Sequence, residues 1–175
     1  MYRLCREETA LVVIDMQEKL AGAMDSKVFE RIKNNACRLI KGFKILNVPI
    51  ILTQQYTKGL GETVSEIKDE AGEGYIEKLS FSCCGEKVFL EELRNMGIKS
   101  VVLIGMETHV CVLQTALDLI SAGFNVHVTA DATCSRAKFN WETGLRFMEK
   151  AGAVITVSET VFFQLLKTAG ADEFK

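Results

Sequence analysis

The sequence predicts an α/β domain of three layers, α/β/α, built on a Rossmann-like, doubly wound, mainly parallel sheet of six strands. Two observations carry this. Short β-branched apolar runs recur along the chain with few polar interruptions, as expected of strands buried on both faces. Amphipathic stretches of helical period lie between them, three closed by a glycine where a left-handed cap residue is needed. Strands alternating with helices of this length form βαβ units with right-handed crossovers.

Taken in order, Thr9 to Ile14 (TALVVI) is the first strand and ends at Asp15. Ser26 to Leu46 is a helix with Val28, Ile32, Ala36, Ile40 and Phe43 on one stripe and Asp25 or Ser26 as N-cap. Pro49 to Thr53 (PIILT) is the second strand, opened by the only proline. The stretch from Gln54 to Gly74, QQYTKGLGETVSEIKDEAGEG, reads as irregular. It is too long for a plain connection and follows the carboxyl end of a strand, where α/β ligand crevices form. Tyr75 to Leu79 is a weaker strand. A helix from Glu86 to Met96 stops at Gly97, and Ser100 to Ile104 is the next strand. Thr108 to Ala122 is helical up to Gly123, Asn125 to Thr129 is a strand, and Lys138 to Ala151 is helical up to Gly152. Ala153 to Val157 and a closing helix from Ser158 to Lys167 complete a single domain over 1–175, without repeat or linker.

Composition narrows the function classes. With 175 residues, 48% hydrophobic, 25% charged and a formal net charge of −2, the chain reads as an ordinary globular domain. It has no basic cluster to serve as a nucleic-acid footprint or to hold an anionic membrane. Arg3, Arg6, Glu7 and Glu8 interrupt any signal-peptide pattern at the start. No apolar run approaches the roughly 20 residues of a membrane helix. The six cysteines (5, 37, 83, 84, 111 and 134) show no C-x-x-C spacing. The expectation is a soluble cytoplasmic protein with thiols in a reducing compartment.

Three polar residues stand at the ends of apolar elements. Asp15 closes Leu11-Val12-Val13-Ile14, so its carboxylate falls at the carboxyl edge of an interior strand, partly desolvated and suited to accept protons. The competing role is a structural cap for the turn at Met16-Gln17. Cys111 lies in the first turn of the helix after Gly105, where backbone N–H groups and the helix dipole favour a thiolate. It shares a face with Gln114, Thr115 and Asp118, off the apolar stripe of Val110, Leu113, Ala116 or Leu117, and Ile120; the alternative is an inert packed thiol. Lys78, in YIEKLSF, would stabilise negative charge beside such groups, whereas an isolated lysine is ordinarily exposed.

Other signals are weaker. His109 with Cys111 lacks the further ligands of a zinc site. His127, between Val126 and Val128, reads as structural. GLGETV has Val64 where the dinucleotide fingerprint needs its last glycine, and it does not follow the first strand. Cys83, Cys84 and Cys134 are candidates for either oxidation or packing.

Together, LVVIDMQ, EKLSFS, GMETHVCV and ADATCSR resemble the isochorismatase-like cysteine hydrolases, a superfamily that includes nicotinamidases and carbamoylsarcosine amidases. The resemblance runs from about Thr9 to Leu166. TQQYTKGLGETVSEI is similar to the branch known as isochorismatase domain-containing proteins, with Thr57 where that branch has proline. The resemblance implies a triad of Asp15, Lys78 and Cys111, with backbone N–H groups of Glu107 and Cys111 as the oxyanion hole and a cis Met106–Glu107 peptide. It implies attack by Cys111 on the acyl carbon of a small amide-type substrate through a covalent thioester, with Gln17, Gln55, Tyr56, Phe81 and Thr108 lining the pocket. Nicotinamidases hold a metal through a D-x-H pattern after the second strand. Gln55 and Thr57 occupy those positions here, so no metal and no cofactor are expected. Some members that cleave isochorismate lack the nucleophilic cysteine, which this chain has.

Two further readings stay open. One is a catalytically retired scaffold or binding protein of the same fold with a redox-sensitive Cys111. The other is a Rossmann-type oxidoreductase, disfavoured by the missing glycine fingerprint. The apolar closing helix, Val161-Phe162-Phe163 with Leu165-Leu166, leaves room for a subunit interface, and the resemblance implies a homo-oligomer, dimer or tetramer.

Overall fold

The structure is a computed structural model that describes residues 2–174. Its strands are β1 (Thr9–Ile14), β2 (Ile50–Gln55), β3 (Ile76–Lys78), β4 (Ser100–Met106), β5 (Asn125–Cys134) and β6 (Val154–Thr156). They form one six-stranded sheet in the order β3-β2-β1-β4-β5-β6, every neighbouring pair parallel. The helices are α1 (Glu18–Gly22), α2 (Ser26–Ile45), α3 (Thr57–Leu60), α4 (Ser65–Ala71), α5 (Lys87–Asn95), α6 (Leu113–Ser121), α7 (Lys138–Ala151) and α8 (Ser158–Leu166).

The apolar runs are unbroken because both faces of the sheet are covered. From β1, Leu11 and Val13 pack with Ile32, Ala36, Leu39, Ile40 and Phe43 of α2 and with Val161 and Leu165 of α8. Its alternate residues Ala10, Val12 and Ile14 pack with Phe89 of α5, Ala116 and Leu119 of α6, and Leu145 and Met148 of α7. Period-two alternation therefore feeds two separate cores, one per helical layer. Asp25 is the N-cap of α2, its carboxylate accepting from the backbone N–H groups of Lys27 and Val28 at 3.0 Å.

Two expectations need correction. The stretch 54–74 is not irregular: Gln54 and Gln55 extend β2, and α3 and α4 follow. Helix α4 buries only Ile67, yet it docks on α2 through Lys33, which pairs with Glu66 at 2.5 Å and Glu30 at 2.9 Å, and through Lys41 with Glu70 at 2.9 Å. Strand β5 continues five residues past Thr129, with a bulge where its register against β4 shifts between Leu103 and Gly105. Among the described residues, no helix is long and apolar enough to cross a membrane.

Candidate active site

The sheet order places a topological switch at its centre. From β1 the chain runs to β2 and β3 on one side, then returns to β4 on the other. A crevice opens where the carboxyl ends of β1 and β4 diverge. Asp15 directly follows β1, Gln55 ends β2, Lys78 ends β3, and the cysteine turn follows β4. Gly105 lets these edges meet. A Cβ there would lie 2.0 Å from the Ile14 carbonyl oxygen, and its φ of 115° is one that L side chains rarely adopt. Asp15 itself is left-handed, φ 49°, as is Tyr56, φ 39°; non-glycine residues in that region cluster at functional sites.

The carboxylate and the ammonium form a fully buried ion pair, Asp15 Oδ2 to Lys78 Nζ at 2.6 Å. Thr53 donates its hydroxyl to Asp15 Oδ1 at 2.8 Å. Lys78 also donates to Gln55 Oε1 at 2.6 Å and to the carbonyls of Phe81 and Ser80 at 2.9 and 3.2 Å. The same Gln55 Oε1 accepts from the Cys111 thiol at 3.9 Å, while Gln55 Nε2 donates to the Leu79 carbonyl at 2.8 Å. Beyond the ammonium, Asp15 Oδ2 has no hydrogen-bond partner among the described residues, so it retains the capacity to take a proton.

Burial is the largest influence on both Lys78 and Cys111. For Lys78 it opposes the charge, but the Asp15 carboxylate, with Cys111 and Cys83, holds the ammonium above the ordinary lysine value. For Cys111, burial and then Asp15 push the thiol up to about 12, against the pull of Lys78. Cys111 is only 5% exposed, and the turn Thr108–Val112 is a π-helical turn ahead of α6 rather than its first α-turn. Desolvation there outweighs the dipole. The core-facing stripe of α6 meets the expected one at Ala116 but is turned toward the Cys111 face: Val112, Thr115, Ala116 and Leu119 are buried, while Val110, Leu113 and Ile120 are only partly so.

The Met106–Glu107 peptide is cis. Glu107 is buried, and its Oε2 accepts from Arg136 through the backbone N–H at 3.0 Å and Nε at 3.1 Å. His109 bridges Ser135 Oγ at 3.0 Å and Asn140 Nδ2 at 3.4 Å. Gly144 of α7 packs so close that a Cβ would meet His109 Cα at 3.1 Å and the Thr108 carbonyl at 3.2 Å. The end of β5 and the start of α7 thus brace the cysteine turn from behind.

The expected lining residues fall into three kinds. Gln17 is buried with its amide committed to backbone: Oε1 accepts from Gln55 N at 2.7 Å, and Nε2 donates to the carbonyls of Gln55 and Gly61 at 3.0 and 2.7 Å. Thr108 is buried, and its Oγ1 has no partner among the described residues. Tyr56 and Phe81 are about half exposed, at 49% and 53%. Sequence reasoning missed Thr53 and Arg136 and did not place Cys83 beside Thr53. Thr53 was legible in principle, since strand register sets it opposite Ile14 and so beside Asp15. Cys83 donates from its thiol to Thr53 Oγ1 at 3.9 Å, with burial holding that thiol up at about 12.

The residues at the metal-ligand positions of nicotinamidases do not fit a metal. Gln55 is held by Lys78, and Thr57 donates its hydroxyl to Gln54 Oε1 at 2.9 Å. Among the described residues, no group of three or more His, Cys, Asp or Glu is arranged to hold an ion.

The family model for the isochorismatase domain matches residues 9–160. The chain belongs to the isochorismatase family. It is 40% identical over 161 residues to isochorismatase domain-containing protein 1 of Danio rerio, covering 92% of this chain and 56% of that protein. It is 39% identical over 174 residues to isochorismatase domain-containing protein 2 of Rattus norvegicus, covering 99% and 80%. The chain therefore spans little more than half the length of the fish relative. Among solved structures of isochorismatase-like fold, the MAR1 ribonuclease of Caenorhabditis elegans superposes with a TM-score of 0.92 at 38% identity, covering 98% of this chain and 88% of that one. The octameric YcaC hydrolase of unknown specificity from Escherichia coli gives 0.86 at 26%, covering 97% and 84%. The N-carbamoylsarcosine amidase of Thermoplasma acidophilum gives 0.73 at 25%, covering 87% and 97%. The isochorismatase-family chain thus shares the fold of hydrolases, one of them an amidase.

Proposed function

We propose that the protein is a metal-independent cysteine hydrolase that cleaves a C–N bond of a small amide-type substrate. The observation that carries this is the buried Asp15–Lys78 pair linked through Gln55 Oε1 to the Cys111 thiol. As Cys111 Sγ attacks the acyl carbon, its proton passes to Asp15, so a thiol held near 12 needs no free thiolate beforehand. The Lys78 ammonium, 2.6 Å from Oδ2, compensates the carboxylate charge at that position. The tetrahedral oxyanion sits against the backbone N–H groups of Glu107 and Cys111. Asp15 returns the proton to the departing amine, leaving an acyl-thioester. Asp15 then deprotonates water, which displaces the thiolate as the acid forms, and the proton goes back to Cys111. Gln17 shapes the pocket by fixing the end of β2, Thr108 offers its unpartnered hydroxyl, and Tyr56 and Phe81 flank the entrance.

The protein works in this reading as a cytoplasmic homo-oligomer, a dimer or tetramer. Its cysteines are free thiols, as suits a reducing compartment. Ile45 of α2 and Phe163 of α8, at 62% and 55% exposure, offer apolar contact surface, and the YcaC neighbour is itself an assembly.

The test is ammonia release from a panel of small amides, wild type beside Cys111→Ala, with chelator present. Cysteine-dependent, chelator-resistant turnover is expected. An RNA oligonucleotide belongs in the panel because the nematode neighbour is a ribonuclease; cysteine-dependent RNA cleavage without amide turnover would overturn the substrate class. Silence throughout, with Cys111 inert to acyl-directed electrophiles, would return the protein to the retired-scaffold reading.

A further inference from the structure

A cavity of about 580 Å³ lies at the carboxyl end of β5, between the first turns of α2 and α7. That volume falls within the range of small-molecule sites. None of Asp15, Lys78, Gln55, Thr108 or Cys111 lines it. Its apolar wall is Val28, Ile32, Ala130, Trp141 and Val157, and Arg31, Arg136 and Lys138 supply positive charge. Two carboxylates also line it, Asp25 and Asp131, but both are engaged. Asp25 caps α2, and Asp131 accepts from Ser158 N and Oγ at 2.9 and 3.0 Å and from Asn35 Nδ2 at 3.4 Å. Arg136 is committed to Glu107, and Lys138 reaches Glu142 only at 3.6 Å on the exposed surface. Arg31 has no carboxylate within ion-pair distance among the described residues.

Thr133 and Trp141 line the cavity, but Thr133 Oγ1 and Trp141 Nε1, which have no partner among the described residues, are closed to solvent, so the unpaired polar group on the cavity side is the Arg31 guanidinium. We propose that this cavity is a second ligand site, distinct from the cysteine site, that takes a small apolar carboxylate. The apolar body rests on Val28, Ile32 and Val157, and the carboxylate receives the Arg31 guanidinium. The inference does not rest on the hydrolase reading. Two contacts join the cavity lining to the cysteine turn, Arg136 on Glu107 and Ser135 Oγ on His109 Nδ1.

Trp141 is the only tryptophan, so its emission reports occupancy of this cavity directly. The experiment titrates the full chain with cyclohexanecarboxylate, with cyclohexanol and cyclohexylmethylamine as neutral and cationic controls of similar shape. A saturable change with the carboxylate alone is expected. Arg31→Ala, on the exposed face of α2, should weaken it about tenfold, a charge-assisted hydrogen bond lost. Cys111→Ala should bind as wild type. An equal response to all three compounds, no saturable response, or an emission that follows protein concentration instead of ligand would overturn the proposal. The last would show that a second copy of the chain covers the cavity.

Discussion

The Lys78 ammonium lies 2.6 Å from Asp15 Oδ2, and neither side chain is exposed to solvent. Two charges withdrawn from water are stable together only with good geometry and further hydrogen bonds. Gln55, Ser80 and Phe81 supply these for Lys78, and Thr53 for Asp15. Removing one partner strands the other charge. Asp15→Asn and Lys78→Met should each lower stability by about 3–5 kcal/mol, while the double variant loses far less than the sum. Urea unfolding of the four proteins checks this, and additive losses would show that the pair is not coupled.

Gly105 separates steric from conformational demands. Its absent Cβ would lie 2.0 Å from a backbone oxygen of β1, whereas Gly123, also at positive φ (89°), has open space around it. Gly123→Ala should therefore lose only about 1 kcal/mol, the strain of the left-handed conformation alone. Gly105→Ala should lose several kcal/mol or fail to fold, and any folded fraction should be inactive because β4 has moved away from Asp15. Thermal melts of the two variants side by side decide; equal losses would remove the steric account.

Much of this was legible because burial on both faces leaves a strong mark. Leu11-Val12-Val13-Ile14 and Val101-Val102-Leu103-Ile104 can hardly be anything but interior strands, and the polar residues that end them must stand at the sheet's carboxyl edge. Helix α4 was illegible because its single buried residue, Ile67, makes no stripe, and its attachment to α2 is by ion pairs. The inner face of α6 was only partly legible because the helix is apolar round much of its girth: Ala116 is buried as expected, but Val112, Thr115 and Leu119 share its face while Leu113 and Ile120 are only partly buried. Cys111, read with Thr115 as off the stripe, is buried along with it. Thr53 and Gln55, which join the three charged or nucleophilic groups, carry no sequence pattern of their own and emerge only from strand register.

The raised Cys111 thiol predicts its own reactivity. Held near 12 by burial and by Asp15, it carries far less thiolate at neutral pH than the few per cent of an ordinary cysteine. Peptide-resolved alkylation by iodoacetamide should find Cys111 slower at pH 7 than the more accessible Cys5. Its rate should climb through pH 10 without a plateau. Lys78→Met should slow it further, since Lys78 is the group that pulls the thiol down. A plateau below pH 8 would mean a resting thiolate.

His127 sets the acid limit of stability. It is fully buried in β5, with neither ring nitrogen partnered among the described residues, and burial lowers its pKa from 6.5 to about 4. Between those values the unfolded chain binds the proton and the folded one does not, so stability is flat above pH 6.5 and falls as pH drops toward 4. The loss attributable to this residue should reach about 2 kcal/mol at pH 5. His127→Leu, which does not titrate, should show a correspondingly smaller drop between pH 7 and pH 5 in urea unfolding. An unchanged drop would assign the acid sensitivity to the buried carboxylates instead.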